Sequence, residues 1–191
     1  MPRYESITLE ELKSQLSSIV ALRGTGRMPR TSYKELLSTA GRNMFEYNRF
    51  NREIMLTELN KAEIDITKGV VNVETRDFLL FHQWPDEDTK MEIHFAEDKE
   101  EKRCDKEYYR RVIAEALMNL PDFDNLIQQE LEQEYVNSKS HVSHFLYDPY
   151  WMQVSEQDIL IAYGGCEINN EFHVFFVKKD GKWVRDFSRR W

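Results

Sequence analysis

The sequence predicts an α+β fold. It should be a mainly antiparallel sheet with a C-terminal β-meander, packed against a central helix pair, plus N-terminal helices. Three observations carry this expectation. From Asp158 to Phe187, short apolar and aromatic runs alternate with glycine-bearing breaks. One break is Asp180-Gly181, a dipeptide suited to a two-residue hairpin turn because both of its positions need positive φ. From Asp105 to Tyr135, apolar residues instead recur every three or four positions, the spacing of a helix lying on a core. Met91, Ile93 and Phe95 alternate with Glu92 and His94, the period-two pattern of a half-buried strand.

The elements follow in chain order. Thr8 and Glu11 have capping-box spacing, and Leu9, Leu12, Leu16, Ile19 and Val20 then share one helical face. Arg23-Gly24-Thr25-Gly26-Arg27-Met28-Pro29-Arg30 stops that helix with two glycines and a proline. Ser32 and Glu35 form a second capping box, followed by a stripe of Leu36, Leu37, Ala40, Met44 and Tyr47 that runs into the late forties. Ile54 to Leu59 fits either a helix or a strand, whereas Ile64 and Ile66 alternate with polar neighbours as a strand does. The apolar run Phe78 to Trp84 reads as a strand paired with Met91–Phe95 across the turn Pro85-Asp86-Glu87-Asp88. A helix over Tyr108–Leu120 is expected to break at Pro121, with a second carrying Phe123, Ile127, Leu131 and Tyr135. Residues 1–60 thus read as an N-terminal helical segment, docked or separate, and residues 61–191 as the α+β domain. A helical C-terminus would have to absorb three glycines within a dense β-branched and aromatic run, so that alternative is rejected.

Composition narrows the function. Hydrophobic residues make up 41% of the chain and aromatics 13%, enough for a packed globule. The net charge of −8, with acidic clusters at Asp86–Asp88 and Glu97–Glu101, argues against nucleic acid as a partner and suits a basic protein. No apolar run approaches a bilayer-spanning length, and the N-terminus lacks the apolar core of a secretory signal. Cys104 and Cys166 form no metal-type pair, consistent with reduced thiols in a cytoplasmic protein.

Candidate chemistry is sparse. His141 and His144 lack a metalloprotease glutamate, and His82, His94 and His173 give no ligand set by spacing, so no metal and no cofactor are expected. Cys166 beside Gly164-Gly165 could be a nucleophile if His173 served as its base and Glu167 oriented that base; a thiol at a strand end is the plainer reading. Arg23–Arg27 could hold a phosphate before a capped helix, yet it misses the phosphate-loop spacing and reads as a linker. The best contact surface is Tyr147, Tyr150 and Trp151 around Asp148-Pro149, since aromatics with polar handles often anchor interfaces. Glu167 joins them as a partner-contacting carboxylate.

Leu120-Pro121-Asp122-Phe123-Asp124-Asn125, Tyr163 to Phe172 and Asp180-Gly181-Lys182-Trp183 together resemble small bacterial domains of uncharacterised function, including immunity proteins of polymorphic-toxin systems. That likeness covers the C-terminal half and implies a non-enzymatic protein that masks a toxin domain by contact. The expected function is therefore protein binding. The alternative is a small-molecule-binding or enzymatic domain with a pocket near Cys166 and His173, and the meander's edge could also support homo-oligomers.

Overall fold

The structure is a computed structural model, and it describes residues 7–14, 44–80, 89–96, 105–138, 148–164 and 172–189. Residues 9–14 are helical and are opened by the expected capping box. The Thr8 hydroxyl accepts the Glu11 amide at 3.2 Å, and the Glu11 carboxylate accepts the Thr8 amide at 2.8 Å. The Thr8 amide, with the Thr8 hydroxyl donating to the same oxygen at 2.8 Å, holds the Glu11 carboxyl below its ordinary pKa. The helical stretch buries Leu12 in the same cluster as the sheet. The second capping box, at Ser32 and Glu35, lies outside the described residues.

Helix α1 spans Met44–Lys61, so the ambiguous Ile54–Leu59 segment is helical. Tyr47, Met55 and Leu59 fall on its buried face. Next come β1 (Ile64–Asp65) and β2 (Val70–Glu74), paired antiparallel. The turn between them uses Gly69 at φ +66°, and the Asp65 carboxylate accepts the Thr67 and Lys68 amides at 3.0 and 3.1 Å. Strand β3 (Lys90–Phe95) then pairs antiparallel with β2.

That pairing corrects one expectation. Lys90–His94 pair with Val70–Glu74, and residues 78–80 form no strand. Phe78, Leu79 and Leu80 are nonetheless buried, because α1 supplies the bonds that a neighbouring strand would have made. Tyr47 Oη donates to the Leu79 carbonyl at 2.8 Å, and the Leu80 amide donates to Asn51 Oδ1 at 3.1 Å. Buried backbone needs partners, and these side chains provide them. Residues 81–84 and the Pro85–Asp88 turn lie outside the described residues.

Helix α2 runs unbroken over Lys106–Ser138 with Pro121 inside it. The expected break at Pro121 is thus corrected: the central pair is α1 against α2, not two halves of residues 105–138. Asp105 caps it as expected, accepting the Glu107 and Tyr108 amides at 3.0 and 3.1 Å. Proline cannot donate to the Leu117 carbonyl one turn back. In that same turn Arg52 of α1 donates Nε to the Met118 carbonyl and Nη2 to Asp122 Oδ2, both at 2.8 Å. A neighbouring helix therefore supports the turn that the proline weakens, and Leu120, Pro121 and Phe123 all stay buried.

The chain ends in β4 (Asp148–Val154), β5 (Asp158–Gly164), β6 (Phe172–Lys179) and β7 (Lys182–Arg185). These four pair antiparallel in sequence order; β5 to β7 are the expected meander, and β4 extends it by one strand. Asp180 and Gly181 take φ of 51° and 74°, as the tight turn requires. The full sheet has the order β1-β2-β3-β4-β5-β6-β7. Among the described residues only the β3–β4 pairing is parallel, and α2 lies between those strands in the chain. Phe123 of α2 stacks on Phe176 with centroids 4.0 Å apart, and Glu115 accepts Lys178 Nζ at 2.5 Å and Trp183 Nε1 at 3.1 Å. These contacts fasten α2 to the meander. No helix among the described residues is long and apolar enough to cross a membrane.

Candidate functional site

Strand alternation divides the sheet into two faces. Val71, Ile93, Met152, Ile161 and Val174 lie opposite one another across five strands and are buried against the helices. The residues between them must point to the other face, because successive strand side chains alternate. Two cross-strand rows organise that outward face. One is Asn72–Glu92–Trp151–Ala162–His173, and the next is Val70–His94–Gln153–Leu160–Phe175.

A β-bulge in β4 gives the first row its character. The register against β5 shifts between Pro149 and Trp151, leaving Tyr150 as the extra residue. Gly164 is the outward neighbour of buried Tyr163, and a Cβ there would come within 3.3 Å of the Tyr150 ring. Glycine is therefore what lets that ring lie close on β5. Trp151 sits opposite Ala162, whose small side chain is only 1% exposed. The bulge thus places Tyr150 and Trp151 side by side on the outward face, over two small residues. Trp151 remains half-buried and Tyr150 is 38% exposed. The His94 ring tilts against Trp151 with centroids 5.4 Å apart, and its Nε2 contacts the Glu92 carboxylate.

The second row floors a cleft of about 250 Å³, lined by Gln153, Leu160 and Phe175 together with Ala96, Ser155 and Asp158. Arg189 closes one wall. Arg189 places its guanidinium 4.7 Å from the Phe175 ring centroid and bonds to Asp186 Oδ2 at 2.9 Å and to Asp158 Oδ1 at 2.5 Å. Asp186 also accepts the hydroxyl and amide of Ser188, at 2.6 and 3.0 Å. The Ser188 bonds first, and Arg189 after them, hold the Asp186 carboxyl down at about 2. At the β4–β5 turn the Ser155 hydroxyl accepts the Gln157 and Asp158 amides at 3.1 and 2.8 Å, which fixes Asp158 at the rim.

Of the residues singled out from the sequence, Tyr150 and Trp151 come together here, and His173 lies in the same row as Trp151. Tyr147, Cys166 and Glu167 lie outside the described residues, as do His82, His141, His144 and the Arg23–Arg30 segment. His94 and His173 share the face but stand on strands separated by two others, roughly 14 Å by strand spacing. They are too far apart to share one ion. Among the described residues, no group of three or more His, Cys, Asp or Glu side chains could hold a metal.

Sequence reasoning missed the cleft. Phe175 was legible as the outward neighbour of Val174 and Phe176, by alternation alone. Arg189 pairs locally with Asp186, but its partner Asp158 lies 31 positions earlier on β5, which no local pattern reveals. No family model, curated protein or solved structure matches the chain.

Proposed function

We propose that this protein is a binding module that presents the outward sheet face to a protein partner, with Tyr150 and Trp151 as anchors. The observation that carries this reading is the β4 bulge, which sets two large aromatics side by side over Ala162 and Gly164 on a face turned away from the helices. Aromatics in such positions supply much of the energy of many interfaces. The net charge of −8 favours a basic partner. A toxin domain neutralised by contact, rather than by chemistry, is the concrete form of this proposal.

The test is to co-purify the chain with the product of the adjacent gene and compare variants by calorimetry. Tyr150→Ala and Trp151→Ala should each weaken binding by about tenfold or more. Phe45→Ala, at a residue 76% exposed on α1, should leave it unchanged. Equal affinity for all three variants would refute the assignment of this face.

A further inference from the structure

Strand β7 ends the sheet, and its outer edge pairs with no strand among the described residues. The Asp186 amide donates to the Phe175 carbonyl at 2.8 Å, so the backbone groups of Asp186 face β6. These groups alternate along an antiparallel strand, so those of Val184 and Lys182 face β6 as well. The N–H and C=O of Trp183 and Arg185 therefore point away from the sheet. Such an edge is a template for another strand.

The side chains say which strand fits. Trp183 and Arg185 turn toward α2, where Trp183 Nε1 donates to Glu115 at 3.1 Å and Arg185 Nε lies 3.6 Å from Glu130. Lys182, Val184 and Asp186 alternate with them and line the other face. Val184 is 36% exposed, and Phe187 just beyond is 59% exposed. An antiparallel seam must set outward-pointing backbone groups opposite one another, which leaves few registers for a second copy of β7. Centring on Arg185 places two guanidiniums opposite each other, and centring on Trp183 leaves Arg185 facing the turn glycine Gly181. Centring on Val184 lets Trp183 of each copy exchange bonds with Arg185 of the other. It also sets Val184 against Val184 and places Lys182 opposite Asp186, so no like charges face each other. Asp186 keeps its bonds to Ser188 and Arg189, so the backbone bonds and the valine contact carry most of the attraction. At the opposite edge of the sheet β1 has only 2 residues, and pairing β7 on β1 would propagate without closing.

We propose that two copies of this chain pair antiparallel through β7, about a two-fold axis at Val184, and join their sheets into one. The same register brings the exposed Phe187 toward the Gly181 turn of the second copy, where a Cβ would meet nothing within 4 Å. Tyr150 and Trp151 stand on β4, with β5 and β6 between them and this seam, so the inference does not rest on the proposed function.

Sedimentation of the full chain over a concentration series tests it. The seam is short, so the dimer should be weak and its share should rise with concentration. Val184→Lys sets two ammoniums opposite each other at the axis and should weaken the dimer by about tenfold or more. A second pair of variants reads the register directly, with the native chain oxidised alongside as the baseline for Cys104 and Cys166. Val184→Cys should give a disulfide-linked dimer on mild oxidation, because a facing pair brings Cα atoms to about 4.5 Å. Lys182→Cys should not, because its two copies would stand about 13 Å apart along the seam. A chain that stays monomeric throughout, an unweakened dimer in Val184→Lys, or equal cross-linking of the two cysteine variants would overturn the pairing.

Discussion

Arg52 offers the sharpest test of how α2 survives its proline. Its guanidinium donates to the Met118 carbonyl and to Asp122, both at 2.8 Å, in the turn where Pro121 withholds a donor. A charge-assisted bond to a carbonyl contributes about 1.5–3 kcal/mol, and an exposed ion pair about 0.2–1 kcal/mol. The Arg52 side chain is 26% exposed and Asp122 61% exposed, so the lower ends apply. Arg52→Met should then cost about 1.5–2 kcal/mol, a fall in Tm of roughly 3–8 °C for a chain of this length. The diagnostic step is to repeat the substitution in a Pro121→Ala background. Alanine restores the N–H that can reach the Leu117 carbonyl, so the turn no longer depends on outside support. Arg52→Met should there cost about 0.5 kcal/mol, leaving a coupling near 1 kcal/mol. Urea unfolding with unchanged m-values supplies the four stabilities. An equal cost in both backgrounds would show that Arg52 merely ties the two helices together, and the argument about the weakened turn would fall.

Three further outcomes are expected. Asn51→Leu should destabilise the chain by about 1–3 kcal/mol in urea unfolding, because the buried Leu80 amide loses its acceptor. A loss below half a unit would mean that residues 78–80 find other partners. Gly181→Ala should cost about 1 kcal/mol through backbone conformation alone, since φ is +74° and a Cβ there meets nothing within 4 Å. Gly164→Ala, at ordinary φ, should act by displacing the Tyr150 ring and so alter tyrosine fluorescence, which Gly181→Ala leaves alone. Asp186 titrates at about 2 when folded, below the ordinary 3.8, so its contribution is present above the unfolded value and fades as pH falls through the folded one. The Ser188 amide resonance should therefore move with a midpoint near pH 2, and Asp186→Asn should remove that transition.

The meander was readable because its signals are local. Alternation over Asp158–Val177 and the Asp180-Gly181 turn specify strands and a hairpin without reference to the rest of the chain. Phe78–Leu80 was misread because its burial comes from Tyr47 and Asn51, about thirty positions earlier, which no window of neighbouring residues reveals. Pro121 was misread for the same reason: its support arrives from Arg52 on another helix. At the site, the aromatic pair stood out by composition, while the bulge that aligns Tyr150 with Trp151 depends on the small residues opposite. The cleft depends on Arg189 returning across the sheet and could not be assembled from any one segment.

The parallel joint between β3 and β4 also sets an order of events. The pairing of β2 with β3 and the meander from β4 to β7 each join strands separated by much less chain than β3 and β4 are. Glu92 and Trp151 meet only after the long intervening chain, with α2 inside it, has been gathered in. Joining distant segments carries a large entropic cost before any contact rewards it, so this seam should be the last part of the sheet to zip and the first to part under load. Trp151 stands on that seam. The face proposed to hold a partner is therefore completed only when the seam closes, and a half-folded chain would lack the contact between Trp151 and its histidine neighbour.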